Sequence, residues 1–322
     1  MKIIITGGSG FIGTNLHEYF QISNSAISLI NIDIAPPKVE FDNSIWEQCN
    51  ILDCLRLKEV FDKYKPDAVI HLAAETVCDP NMELEDYKVN IEGSRNVFEI
   101  SNSQENPPIL IHTSSQFVNQ TDFPLHNFYD YKPHTIYGES KVVSEQTLRD
   151  GNFGLKWVII RPTNVWGKWH LRYPHEFWKV LASGKYVHPD KRDVIRSYGY
   201  VGNICNQIDL LISNIESAAG NVYYVGDEPQ QLYNWVNEFS LALRHKKVRL
   251  VPKQVVYFLA LIGDFLARMG LNFPITTSRY RSMTLSNPAP MKKTFDLLGM
   301  PKISQSEGVA ITAKWLKDEI YN

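Results

Sequence analysis

Tyr137 and Lys141 stand four residues apart, and of the sixteen tyrosines in the chain this one alone has a lysine at that spacing. Four residues is about one helical turn, so a phenol and an ammonium project from one face. An ammonium beside a phenol favours the phenolate. Lowering the phenol pKa by ~3 units toward neutrality needs roughly 4 kcal/mol of differential stabilisation. Such a tyrosine can take a proton from an alcohol and return it. Ser115, closing Thr113-Ser114-Ser115, supplies a hydroxyl that can donate to a substrate oxygen and orient it. Near the start, Thr6-Gly7-Gly8-Ser9-Gly10-Phe11-Ile12-Gly13 has the glycine spacing of a phosphate cradle for a dinucleotide. Together these groups imply hydride transfer between a nicotinamide and a carbon–oxygen bond. Each has a plainer alternative: a surface Tyr-Lys pair, a Ser/Thr turn cap, a glycine-rich turn.

The elements that must position these residues follow from periodicity. Lys2 to Thr6 is a short apolar run ended by glycines and reads as a strand. From Phe11 the apolar residues Phe11, Ile12, Leu16, Tyr19 and Phe20 take helical spacing, so the glycines lie at a strand-to-helix turn. Gly7 and Gly8 permit the turn, Gly10 lets backbone approach a pyrophosphate, and Gly13 lets helix and strand pack closely. A second run, Ile27 to Ile32, ends at Asp33, whose carboxylate can accept both adenosine ribose hydroxyls and would repel a 2′-phosphate. NAD is therefore expected over NADP. Cys49 to Asp53 is read as the end of a third strand, with Asp53 able to accept from the adenine amino group. Ala68 to Leu72 and Ile109 to Thr113 make a fourth and a fifth, and small Ala73 and Ala74 let backbone pass close to a cofactor. Alternating strands and helices imply an α/β fold, a doubly wound parallel (Rossmann) sheet with ligands at the carboxyl ends of its strands. The expected division is 1–165 for the cofactor domain and 166–322 for a smaller, mostly helical substrate lobe, with about 197–226 returning to the sheet.

These residues resemble the extended short-chain dehydrogenase/reductase superfamily, and within it the NAD-dependent nucleotide-sugar epimerase/dehydratase family. Besides the glycine segment, the resemblance is carried by Asn50-Ile51-Leu52-Asp53, His71-Leu72-Ala73-Ala74-Glu75, Thr113-Ser114-Ser115, Tyr137-Gly138-Glu139-Ser140-Lys141 and Arg161-Pro162-Thr163-Asn164-Val165-Trp166-Gly167. It implies that Tyr137 is the acid/base, that Lys141 lowers its pKa and holds the nicotinamide ribose, and that Ser115 polarises the substrate. It places NAD along Gly7, Gly10, Phe11, Ile12, Gly13, Asp33, Ile51, Asp53, Leu72, Ala73, Ala74, Asn90, Tyr137, Lys141 and Pro162. It further implies substrate contacts from Asn164 and Arg196, the latter clamping phosphates, and a homodimer. Sugar 4,6-dehydratases of this family carry an Asp-Glu pair directly after the Ser/Thr. Gln116 and Phe117 stand there in this chain, so the expected activity is epimerisation of a nucleotide sugar. A sugar or sterol-like alcohol dehydrogenase, or a keto-sugar reductase, on the same scaffold stays open, as does a non-catalytic NAD sensor.

The substrate half is less regular. Lys168 to Pro174, rich in aromatic and basic residues, is expected to cover a polar, anionic ligand. Val255 to Ile262 is apolar but too short to span a bilayer, and reads as a buried helix, with a membrane-facing helix as the alternative. Ser304-Gln305-Ser306-Glu307 reads as a capping box opening a last helix. A formal charge of −2 argues against a nucleic-acid partner, and the basic run Arg244 to Arg249 is expected to be solvated surface. Four cysteines without paired spacing, no metal-binding cluster and a first strand starting at Lys2 are expected of a cytoplasmic protein without a signal peptide or transmembrane segment.

Overall fold

The computed structural model describes residues 1–322 except 24–25, 80, 121–126, 191, 272 and 322. The chain divides into two compact units: 1–165 with 199–226 and 290–302, and 166–198 with 227–289 and 303–322.

The first unit is built on seven parallel strands: β1 (Lys2–Thr6), β2 (Ser28–Asp33), β3 (Ser44–Gln48), β4 (Ala68–His71), β5 (Ile109–Thr113), β6 (Trp157–Pro162) and β7 (Asn221–Val225). Their order is β7-β6-β5-β4-β1-β2-β3. The chain winds outward from β1 in one direction and from β4 in the other, creating a crevice at the carboxyl ends of these two neighbours. The central strands are apolar on both faces because helices cover both; Ile3, Ile4 and Ile5 are fully buried. The helix α1 (Phe11–Ser23) packs beside α5 (Val201–Ser213), joined by Tyr19 donating to Asp209 at 3.0 Å. Helices α2 (Cys54–Tyr64), α3 (Ser94–Asn102) and α4 (Ile136–Asp150) complete the winding. Leu57, Phe61, Val97, Phe98 and Leu148 from these three share one apolar cluster with Ile4, Val69 and Leu110 of the sheet.

Local sequence sets the boundaries. Thr135 caps α4 by accepting from Gly138 N at 3.0 Å. The third strand ends at Gln48, earlier than the sequence reading, because Asn50 and Asp53 leave the ladder to build a turn. Asn50 accepts from Leu52 N, and Asp53 caps α2 by accepting from Arg56 N at 3.1 Å.

In the second unit an aromatic core does the packing, beside two short two-stranded sheets: Ile195–Arg196 with Gln230–Gln231, antiparallel, and Val187–Pro189 with Arg249–Val251, parallel. Trp235 of α6 (Leu232–Arg244) lies flat on Tyr198 with centroids 4.1 Å apart and stacks on Phe177 at 5.4 Å. Trp166, Trp178 and Phe239 fill the space around it. Within the Lys168–Pro174 segment, His170 stacks on Tyr173 at 4.0 Å, and both pack against Trp178. Burial holds the His170 imidazole neutral, its pKa pushed down to about 3. Ser304 accepts from Glu307 N at the start of the helix Gln305–Trp315, which packs on α6.

One sequence expectation fails here. The apolar run from Val255 lies in α7 (Lys253–Arg268), but only Val256, Ala260 and Gly263 of this helix are buried. Val255, Phe258, Leu261, Ile262 and Phe265 are exposed. The helix is apolar on both faces, and one apolar face is enough to dock it, so a hydrophobic run alone does not imply full burial.

Candidate active site

The glycine turn after β1 can be followed atom by atom. Gly7 has φ +71°, and a Cβ there would lie 2.7 Å from Ala73 N, so both conformation and space demand glycine. The β1 turn and the β4 turn thus touch through backbone. Thr6 reinforces this by accepting from Ala73 N at 3.3 Å. Gly13 is needed for packing, since its Cβ would fall 2.5 Å from Gly8 O. Phe11 and Ile12 start α1, whose first-turn N–H groups have no intrahelical acceptors.

Asp33 sits at the end of β2 against this turn. Its two oxygens accept from Ser9 N at 3.0 Å and Ala35 N at 3.1 Å, one bond each, leaving lone pairs on both. Leu72, Ala73 and Ala74 follow β4 and are half-buried. Ile51 is turned into the core, where its Cδ1 would lie 2.6 Å from a Cβ on Gly93, so only its backbone can face a ligand. Asp53, committed to its helix cap, has Oδ2 left for any other acceptor role.

Asn90 lies in a single π-turn, Val89–Gly93, an irregularity often associated with function. Fully buried, it accepts from Glu75 N at 2.8 Å and donates to Glu75 O at 3.0 Å and Ser140 Oγ at 2.9 Å. Ser140 in turn donates to Tyr137 O at 2.7 Å. Asn90 therefore ties the segment after β4 to the first turn of α4.

Helix α4 brings Tyr137 and Lys141 to the end of β5. Lys141 Nζ donates to Thr113 O at 3.0 Å. The Tyr137 ring packs edge-on against Phe117, centroids 6.1 Å apart. Ser115 lies between those two anchors in sequence, accepts from Phe117 N at 3.1 Å, and retains its own O–H for another acceptor. Gly138 permits the approach: a Cβ there would lie 2.3 Å from Phe117 O. Thr113 Oγ1 and Ser114 Oγ are buried without hydrogen-bond partners. Pro162 closes β6 beside this edge, and Asn164 follows it, half-buried. In the second unit, Arg196 pairs its backbone with Gln230 and donates through Nη1 to Leu285 O at 3.3 Å, while its Nε is buried and unpartnered.

Electrostatics mark out one cation. Burial pushes the Lys141 pKa down to about 8, with the carboxylate of Glu145 acting in the opposite direction. His71 and His112 stack at 5.4 Å in the layer below, and burial holds both neutral. Glu145 is itself held by Arg161, whose Nε and Nη2 donate to its two oxygens at 2.9 and 2.7 Å with neither side chain exposed. Sequence reasoning did not single out Glu145, although its position four residues after Lys141 on one helix was the available signal. Thr6, which accepts from Ala73 N and bonds His71 Nδ1 at 2.7 Å, carried no signal of its own.

A glycine turn, a strand-end carboxylate, and a Ser/Tyr/Lys set on one edge of a doubly wound sheet define an oxidoreductase-type enzyme built around a dinucleotide. The model of the NAD dependent epimerase/dehydratase family matches residues 3–226, and the chain belongs to that family. It is 29% identical over 275 residues to an N-acetyl-alpha-D-glucosaminyl-diphospho-ditrans,octacis-undecaprenol 4-epimerase of Escherichia coli O157:H7, covering 82% of this chain and 78% of that one. Similarity to a dTDP-glucose 4,6-dehydratase of Shigella flexneri is 25% over 266 residues, 70% of this chain and 72% of that one. The fold matches UDP-glucose 4-epimerase of Thermotoga maritima at a TM-score of 0.73 and 23% identity, covering 98% and 99% of the two chains. It matches UDP-glucuronic acid 4-epimerase of Bacillus cereus at 0.74 and 19%, with the same coverage. The cofactor of the family is NAD.

Proposed function

We infer that this enzyme epimerises a hexose carried on a diphosphate, using NAD that it retains through turnover. The observation that carries the reading is the Ser115, Tyr137 and Lys141 set at the end of β5, with Gln116 and Phe117 next in the chain. Elimination of water from a sugar needs an acid and a base on adjacent carbons. A phenylalanine can be neither, and Gln116 has no proton to exchange at neutral pH. That set therefore fits reversible oxidation of a hydroxyl better than dehydration.

The residues present fit the dinucleotide. The Gly7–Ala73 backbone contact leaves no side chain between the two turns, Asp33 keeps lone pairs for ribose hydroxyls, and two unpartnered buried hydroxyls lie at the end of β5. When bound, NAD supplies a site that accepts a hydride from the sugar carbon and gives it back. Tyr137 takes the hydroxyl proton as the carbonyl forms and returns it as the alcohol is restored. Lys141 stabilises the phenolate between those events, and Ser115 holds the oxygen whose bond order changes. Inversion follows if the keto sugar is reduced on its other face.

The named relatives act on sugars joined to a nucleoside diphosphate or to a polyprenyl diphosphate. The sugar diphosphate is the element they share, and Asn164 and Arg196 are assigned to it, a guanidinium being suited to phosphate. The test begins by denaturing freshly purified protein and identifying the nucleotide released. Near-stoichiometric NAD, followed by interconversion of a diphospho-hexose pair without added cofactor, is the expected result. An empty protein that turns over only with a stoichiometric change in NADH absorbance would replace this reading with a dehydrogenase or reductase.

A further inference from the structure

We propose that α7 is a docking helix by which the second unit lies on the surface of an anionic lipid bilayer. This goes beyond the reaction assigned above and does not depend on it.

One face of α7 carries Val255, Phe258, Leu261, Ile262 and Phe265, continued by Met269 just past its end. Phe258, Phe265 and Met269 are each more than 60% exposed. With an aromatic side chain taken at ~200 Å², the six leave roughly 500 Å² of apolar surface uncovered, at the top of what a soluble monomer shows. The opposite face already docks the helix. Gly263 meets the following loop so closely that a Cβ would overlap Ile275 O, and Tyr257 packs on Tyr280 of α8 (Thr277–Thr284) at 5.2 Å. The outward face is therefore surplus to the fold of this unit.

Charge selects the occupant. From Arg244 to Arg281 the chain has eight Lys or Arg residues and a single acid, Asp264. Asp264 is engaged with Thr277, accepting from its N at 3.1 Å and its Oγ1 at 2.6 Å. Asp190 and Asp193 lie near Lys253 at the start of the helix, Arg279 and Arg281 flank the Tyr280 that packs on Tyr257 in its first half, and Arg268 closes its last turn. Arg279 donates through Nη1 to Pro274 O at 2.8 Å, and its nearest carboxylate partner, Glu176, is at 3.9 Å. An apolar stripe with a cationic border is the pattern of a helix lying in the headgroup layer of an anionic membrane. Among the described residues no helix is long and apolar enough to cross a bilayer. At sixteen residues α7 is ~24 Å long, short of the ~30 Å hydrocarbon core, so lying on the surface is the geometry open to it. A second copy of the chain fits less well, because a symmetric pairing of this face would bring like-charged margins together.

The test is flotation of the whole protein, with whatever nucleotide it retains, on phosphatidylcholine vesicles with and without phosphatidylglycerol. Wild type should float with the anionic vesicles, much less with neutral ones, and less at high salt. Phe258→Glu combined with Phe265→Glu should lower the bound fraction at least ~10-fold while leaving the melting temperature and nucleotide content unchanged. If that pair does not fold, Phe258→Gln with Phe265→Gln, which adds no charge, is read the same way. Wild type that stays unbound on anionic vesicles overturns the proposal, as does a folded variant that floats like wild type. A variant that halves the mass in solution without changing flotation would show that a second copy covers the face.

Discussion

Glu145→Gln should lower the pKa of Lys141, and the size of the effect can be worked from the site. Lys141 is fully buried and its pKa is already brought to about 8 by loss of solvent, with Glu145 raising it from one helical turn away. Side chains at that spacing lie ~6 Å apart, where two unit charges at an effective dielectric of 20 interact by ~2.8 kcal/mol, or ~2 pK units. Arg161 is present in both proteins, so removing the carboxylate charge removes that whole attraction, and a drop of ~1–2 units is expected. The ammonium is charged below its folded pKa and lost above it, so the variant should lose the cation nearer neutrality. The readout is NMR titration of the lysine ε-methylene in ¹³C-lysine-labelled protein, with the Lys141 signal assigned by its absence in Lys141→Met. Glutamine keeps an acceptor for Arg161 but leaves the buried guanidinium uncompensated, so stability should fall by ~3 kcal/mol. An unchanged or rising Lys141 midpoint in a folded variant would refute the reasoning, since Glu145 would then not act on the site's cation.

Lys141→Met should raise the melting temperature while abolishing turnover: a buried ammonium held about 2.5 units below its ordinary value costs on the order of 3 kcal/mol, and methionine removes that cost. For the same reason the wild-type contribution from this group should improve as pH rises from about 8 toward 10.5, where the unfolded chain binds more protons, visible as a rising melting temperature that Lys141→Met lacks. Tyr137→Phe should retain NAD and fold normally but lose at least ~10³-fold in turnover, measured on whichever diphospho-hexose is accepted; full activity would remove Tyr137 from the mechanism. Asn90→Ala should cost ~2–3 kcal/mol by calorimetry, because it strands Glu75 N and O after the loss of their shared partner. Asp33→Ala should weaken NAD binding ~10-fold or more and narrow its preference over NADP, checked by calorimetric titration of both nucleotides.

The cofactor half was legible because each of its devices is local in sequence. A glycine that must have φ +71° stands next to the strand it terminates, and an acid closes the next strand. Tyr137 and Lys141 share one helical turn. The strand edges were read within a residue or two where β-branched runs meet glycine or charge. The reading failed at residues 49–53, where Asn50 and Asp53 side chains capture backbone N–H groups and end the ladder early, a contest between side chain and strand that periodicity cannot display. The pairing of Glu145 with Arg161 escaped notice for a different reason: the two are sixteen residues apart, and a charge looks solvated in sequence until its partner is known. The helix α7 was misread in the opposite sense. Hydrophobicity says that a surface prefers to leave water but not what it leaves water for, and in α7 the protein itself covers only one of two apolar faces. The residues that best reveal what remains to be bound are thus those the fold does not use: two unpartnered hydroxyls at the end of β5, an unpartnered Nε on Arg196, and the outward phenylalanines of α7. A buried polar atom without a partner costs about 1–3 kcal/mol, and an uncovered apolar face gains nothing from folding, so both are features whose compensation lies in a ligand or a surface rather than in the chain.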